Sequence, residues 1–212
     1  MSYTTKYNFV SSCKVLREEI QGCCQERTSM YDVSCDDFKR QYEPYIDYNN
    51  KYTCQQVMYI LNSISSQAPS LYNDNRCKYL YYWIYQDLLQ KNNNYDIALK
   101  WYRIFLNSYF EVDDDNHICN NYVHESKGII LKRSAKLIEL YDTINNNDKP
   151  FNCDCAKICS ELYTEYVKEC DNNYDPDYCS ELQNFKYIYE ANIKSIVHII
   201  FLNNSLLQLD HE

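Results

Sequence analysis

Glycine is almost missing. The 212 residues include two, Gly22 and Gly128, where about 7% is usual in globular domains. Phosphate-cradling loops and dinucleotide turns need several glycines at fixed offsets, because the backbone must approach the ligand closely. None can be assembled here. Two-residue hairpins also lean on glycine, so an all-β sandwich is not expected. Basic residues are the minority, 21 Lys+Arg against 30 Asp+Glu, for a formal net charge of −9. Such a surface repels phosphate backbones, and nucleic acid is not an expected partner. Long apolar runs are absent too. The most apolar stretch, residues 195–209, is broken by His198, Asn203 and Asn204, whereas a membrane span needs about 20 apolar residues. The opening MSYTTKYNFVSS has neither the basic region nor the apolar region of a secretory leader. No membrane anchor and no conventional export signal is therefore read in this chain.

Cysteine, by contrast, is plentiful. There are 12: Cys13, Cys23, Cys24, Cys35, Cys54, Cys77, Cys119, Cys153, Cys155, Cys159, Cys170 and Cys179. An even number at this density points to disulfides and an oxidising compartment. Full pairing allows roughly ten thousand connectivities, so the pattern stays open. Adjacent Cys23 and Cys24 are expected to take different partners. Cys170 and Cys179 are the one short-range pair expected, closing a turn between two helices. Zinc is the competing reading, but Cys153-x-Cys155-x3-Cys159 lacks the doubled close pair of a structural site. The histidines His117, His124, His198 and His211 supply no second pair. Neither a metal nor a cofactor is expected. The cysteines thus say oxidised while the N-terminus offers no address. An unconventional export route, a trimmed chain or reduced thiols would each resolve that.

Apolar residues recur at helical spacing. One stripe runs through Phe9, Cys13, Leu16, Ile20 and Cys23. Thr53 to Gln56 has the form of a capping box, opening a helix with Cys54, Val57, Met58, Leu61 and Ile64 on one side. Cys77, Leu80, Tyr81, Ile84, Tyr85, Leu88 and Leu89 form the cleanest stripe. Ile97, Trp101, Ile104 and Phe105 follow. Ile130, Leu137, Tyr141 and Ile144 mark a long helix ended by Lys149-Pro150. Cys155, Cys159, Leu162, Tyr163, Tyr166, Val167 and Cys170 mark another. Asp175-Pro176 breaks the chain, and Leu182, Phe185 and Tyr189 open a last helix reaching about Leu202. Asn runs such as Asn92 to Asn94 mark the turns, because Asn bonds its own backbone. The expected fold is all-α: a single disulfide-braced bundle of about seven or eight helices over residues 1–212, with little or no sheet.

The candidate chemistry is thin. Cys119 with His117 or His124 is the only local thiol–imidazole pairing. His117 and Cys119 are two apart and would diverge on a helix, so a bridged cysteine is the plainer reading. Asp36-Asp37 and Asp113 to Asp115 lack the glycine and spacing of a calcium loop. A helix cap and a solvated loop are expected instead. Secreted phospholipases need His-Asp soon after Cys-Cys, and Cys23-Cys24 is followed by Gln25-Glu26-Arg27. Insect-type odorant carriers share the C-x3-C and C-x8-C spacings, but not the long excursion between them. Among the 24 tyrosines, Tyr79, Tyr81, Tyr82 and Tyr85 crowd one helix with Trp83. Tyr82 and Trp83 fall off the main stripe. They either pack against a second neighbour or present an interface, for which tyrosine is favoured. Asn203-Asn204-Ser205 is a lone glycosylation sequon.

The block Cys77-Lys78-Tyr79-Leu80-Tyr81-Tyr82-Trp83-Ile84-Tyr85 resembles a hallmark of the Plasmodium interspersed repeat proteins, in particular the vir branch of variant antigens of vivax malaria. Cys119-Asn120-Asn121-Tyr122, Leu140-Tyr141-Asp142, Cys155-Ala156-Lys157-Ile158-Cys159 with Leu162-Tyr163, and the run from Tyr178 to Lys186 follow in the family's order. The resemblance covers roughly Cys54 to Tyr189. It implies a helical ectodomain exported to the infected red-cell surface or membrane, serving antigenic variation, immune evasion and, in some members, adhesion. Many members lack a conventional signal peptide. Members usually carry a membrane span after the ectodomain, and none is read here.

The sequence reading is therefore a non-enzymatic variant surface antigen that engages a host cell-surface receptor or antibody. Tyr82, Trp83, Asp113, Asp114 and Asp115 are the interface candidates, with loops 65–75 and 113–116 shaping the face. An intracellular structural or trafficking protein with reduced thiols is the alternative, and a small-molecule carrier the third reading.

Overall fold

The computed structural model describes residues 5–22, 31–42, 52–66, 71–89, 94–110, 119–122, 124, 127–145 and 151–209. Eight α-helices account for nearly all of them, with no strand among the described residues: α1 Cys13–Gly22, α2 Asp32–Tyr42, α3 Tyr52–Ser65, α4 Leu71–Trp83, α5 Tyr95–Phe110, α6 Gly128–Ile144, α7 Cys153–Asn172 and α8 Pro176–Leu209. The fold is all-α and braced by disulfides, Cys35–Cys54, Cys77–Cys119 and Cys170–Cys179. No described helix is long and apolar enough to cross a membrane. The chain divides into two compact units, a core unit Ser12–Ala135 and a hairpin unit formed by Met1–Ser11 with Lys136–Glu212.

The core unit is built around α4, which packs against α1, α3 and α5. Cys77, Tyr79, Leu80, Tyr81, Tyr82, Trp83 and Ile84 are consecutive or nearly so, and all are buried. A helix apolar all round has no solvent face and takes the centre. This corrects the expected interface at Tyr82 and Trp83: they are 2% and 6% exposed and fill the space between α4 and its neighbours. The helix continues as a π-turn, Ile84–Leu88, closed by Leu89 N–H donating to Ile84 O at 3.0 Å. Asn94 then starts α5. Its side chain accepts from Ile97 N at 3.0 Å and its carbonyl from Ala98 N at 3.3 Å, the capping expected of the Asn run.

The stripe on α3 is as read, with Cys54, Val57, Met58, Leu61 and Ile64 all buried. The helix already includes Tyr52, so Thr53 stands inside it rather than at its cap. Similarly, Asp36 and Asp37 lie exposed within α2, where Asp37 pairs with Arg40 one turn on, and Asp32 occupies the first turn instead. On α5 the buried arc is turned away from Ile97 and Ile104. It runs through Ala98, Trp101, Tyr102, Phe105, Leu106 and Tyr109, because the tyrosines are core here and outrank the isoleucines. Phe38 of α2 stacks on Phe105 at 4.6 Å. Gly128 opens α6 against α5. A Cβ there would sit 2.6 Å from Leu99 Cδ2, so the missing side chain permits the close approach.

Candidate functional site

With Tyr82 and Trp83 in the core and Asp113, Asp114 and Asp115 outside the described residues, the surface that remains is the α7–α8 hairpin. Local chemistry dictates its shape. Asn152 caps α7, its Oδ1 accepting from Cys155 N at 2.9 Å. Asp175 caps α8, its Oδ1 accepting from Asp177 N at 3.1 Å and Tyr178 N at 3.3 Å. Pro176 takes the first helical position, where its missing N–H is no loss. The expected break at Asp175-Pro176 is thus the start of a helix of 34 residues, about 50 Å long. Cys170–Cys179 ties the two helices beside that turn, with nine residues of separation, as the short spacing implied.

Carboxylates fix the hairpin from within its own unit. Asp175 Oδ2 accepts from Lys6 Nζ at 2.8 Å and Tyr7 OH at 3.4 Å. Buried Glu181 accepts from Tyr141 OH at 3.0 Å, Thr5 Oγ1 at 3.4 Å and Asn184 Nδ2 at 3.4 Å. Buried Glu139 accepts from Tyr166 OH at 2.6 Å. A hydrogen bond to a buried carboxylate at normal length contributes about 1.5–3 kcal/mol, which applies to Tyr166–Glu139 and Tyr141–Glu181; the contacts at 3.4 Å are weaker. Aromatic packing completes the seam: Phe185 lies between Tyr163 and Tyr189, ring centroids 6.2 and 6.4 Å away, and meets Tyr141 edge-on at 5.4 Å. Burial, then Glu181, pushes the Tyr141 phenol well above its ordinary value.

The outer side of the hairpin is unusual. Tyr174 at the turn, Tyr187 and Val197 on α8 are each more than three-fifths exposed, and Ile158 and Ile188 are also exposed. Tyr187, Ile188 and Ala191 share one arc of α8 at helical spacing and all face solvent. Periodicity did not mark them, because the reading sought stripes that bury. Their signal lay in what the stripe Leu182, Phe185, Tyr189 left over.

Eleven of the 12 cysteines divide into three groups. Cys35, Cys54, Cys77, Cys119, Cys170 and Cys179 are bridged. Cys23 and Cys24 lie outside the described residues. Cys153, Cys155 and Cys159 carry free thiols, where the sequence reading has them bridged. All three sit within the first two turns of α7, and side chains on so short a stretch of one helix cannot reach disulfide geometry with one another. Cys13 is buried. Burial, with Cys155 alongside, pushes the Cys159 thiol up to about 12, which leaves it protonated and a poor nucleophile. Cys119 is bridged to Cys77 and brings no thiol to His124, which is exposed. His117 lies outside the described residues. The crevice between α7 and α8, lined by Cys159, Tyr163, Phe185 and Tyr189, encloses about 120 Å³, less than the roughly 300 Å³ at the low end for small-ligand sites. Among the described residues no three His, Cys, Asp or Glu side chains converge as metal ligands do. What the hairpin offers is a rigid, cross-linked helical surface with tyrosine and aliphatic side chains turned outward. No protein-family model, curated protein or solved structure matches the chain.

Proposed function

We propose that the chain is a non-enzymatic binding module of the variant-surface-antigen type, displayed at the surface of an infected red cell and engaging a host receptor or antibody. The observation that carries this reading is the α7–α8 hairpin. Cys170–Cys179 and the Asp175 cap hold it rigid while Tyr174, Tyr187 and Ile188 stand in solvent. Exposed tyrosine on a stiff element is the usual material of a protein-binding surface, since it brings much contact area for little entropy lost. The bridges supply the other half of the reading, because a frame stapled by covalent links tolerates a changing exterior. The order of motifs shared with the interspersed repeat proteins supplies the setting.

The test uses the oxidised full chain against a panel of host-cell receptor ectodomains and intact host cells. Saturable binding that falls about tenfold or more in Tyr187→Ala, as a central interface tyrosine predicts, supports the reading. No saturable binding to any receptor or cell argues against it. The free thiols at Cys153, Cys155 and Cys159 favour a second reading, an intracellular structural or trafficking protein. A thiol count on the denatured, unreduced protein separates the two. Six or fewer agrees with the bridges described, and 12, all the cysteines present, selects the second.

A further inference from the structure

A groove between α5 and the start of α6 lies in the core unit, apart from the hairpin. Its wall is one side of α5, where Asp96, Lys100, Arg103 and Asn107 recur at spacings of four, three and four and so stack along one face. α6 adds Lys132, about one turn in from Gly128. With Leu99 these side chains line an open groove of about 430 Å³, within the roughly 300–1,000 Å³ common for small-ligand sites.

The charges in it do not balance. Asp96, the one carboxylate among the described lining residues, is ion-paired with Lys132. Lys100 is exposed and, like Arg103, makes no ion pair with any described residue. Arg103 Nε and Nη2 are shut off from solvent and have no hydrogen-bond partner among the described residues. Buried donors on a charged group left without an acceptor are costly, by about 1–3 kcal/mol or more. Arg103 Nη2 also lies 3.8 Å from where a Cβ on Gly128 would stand, so the guanidinium rests against the first turn of α6. The first turn of a helix has unsatisfied N–H groups and a partial positive charge. Two positive ends thus lie side by side in a chain of net charge −9.

We propose that this groove binds a phosphate dianion, either free phosphate or the phosphate of a small monoester. Two unpaired cations call for two negative charges, which a phosphate nearly supplies near neutral pH. A turn of the flexible Arg103 side chain toward the groove uncovers Nε and Nη2, and the guanidinium fork then matches two phosphate oxygens and ends their orphan state. Lys100 supplies the second charge, the Asn107 amide can donate a further bond, and Leu99 offers an apolar wall to the organic part of an ester. A carboxylate brings one charge and leaves one cation unmatched. This site is independent of the surface-display reading and of the hairpin.

Calorimetric titration of the oxidised full chain with inorganic phosphate, phenyl phosphate and acetate, at matched ionic strength in chloride, tests it. Phosphate is expected to bind and acetate to bind more weakly. Phenyl phosphate binding tighter than inorganic phosphate selects an ester as the ligand; equal binding selects free phosphate. Arg103→Gln should weaken phosphate binding about tenfold or more, and exposed Lys100→Gln about threefold. Should Arg103→Gln fail to fold, nitrogen-15 spectra of the arginine side chains in the unmodified protein give the same answer, because one Nε–H signal must move on phosphate addition. Phosphate that leaves every arginine signal in place, acetate that binds as well as phosphate, or full binding by a folded Arg103→Gln would overturn the proposal.

Discussion

Tyr102 in the core unit and Tyr141 in the hairpin unit are both buried, yet their hydroxyls meet opposite fates. Tyr141 OH donates to Glu181 at 3.0 Å, whereas Tyr102 OH has no hydrogen-bond partner among the described residues. Tyr81 meets Tyr102 edge-on at 5.9 Å, and the Asp74 carboxylate is near enough to push its phenol up further after burial has done so. Around Tyr141 the interior is laced with carboxylates. Bridges differ in the same sense. In the core unit they join elements 19 and 42 residues apart, and in the hairpin unit one closes nine residues. One composition, rich in cysteine and tyrosine, thus closes long loops in one unit and a short one in the other, and the phenol left without an acceptor in the first has a counterpart tied to a carboxylate in the second.

The bridges give the largest test of that contrast. Loop-closure entropy grows with the length closed, so removing Cys77–Cys119 should destabilise by about 4 kcal/mol, Cys35–Cys54 by about 3, and Cys170–Cys179 by about 2.5. Paired Cys→Ala variants compared by urea unfolding check the order. Next come the hydroxyls. Tyr141→Phe strips a donor from buried Glu181 and should cost about 1.5–3 kcal/mol. Tyr102→Phe removes only an unpartnered group and should be neutral or slightly stabilising. Equal losses in both variants would erase the distinction between the units.

Alkaline pH tests the burial itself, which both units share. Burial raises the Tyr81 and Tyr102 phenols well above their ordinary value near 10. Above pH ~10 the unfolded chain releases these protons while the native one retains them. Stability is then whole below that pH and falls as pH rises through it, by about 1.4 kcal/mol per pH unit for each phenol. Urea midpoints measured over short times between pH 8 and 11 should show this fall, and a flat profile would contradict the burial. The smallest effect is kinetic. Exposed Cys153 should alkylate first at pH 8 and Cys159 last, since its thiol is held at about 12.

Much of this was legible in the residues. The helical period gave α3 its stripe from Cys54 to Ile64, and the separation of nine between Cys170 and Cys179 gave the clasp. The reading weakened wherever tyrosine had to be assigned, because a phenol suits core and surface alike. Tyr82 and Trp83 looked surplus to one stripe on α4, but a central helix has several neighbours and uses every side. The same ambiguity hid Tyr102 behind Ile97 and Ile104. It also hid Tyr187 and Ile188, whose exposure depends on which partners α8 lacks, and a sequence does not state that. The block Cys77 to Tyr85, on which the family resemblance rests, is interior from Cys77 to Ile84. What it preserves is a way of packing, and any binding specificity must come from elsewhere.

The bridges themselves are the point to test. Proteolysis of the native protein without reductant, followed by mass spectrometry of the joined peptides, reads them directly. Peptides linking Cys35 to Cys54, Cys77 to Cys119 and Cys170 to Cys179, with Cys153, Cys155 and Cys159 recovered as thiols, are the predicted result. Recovery of these six bridge cysteines as thiols, or joined to other partners, would contradict the account.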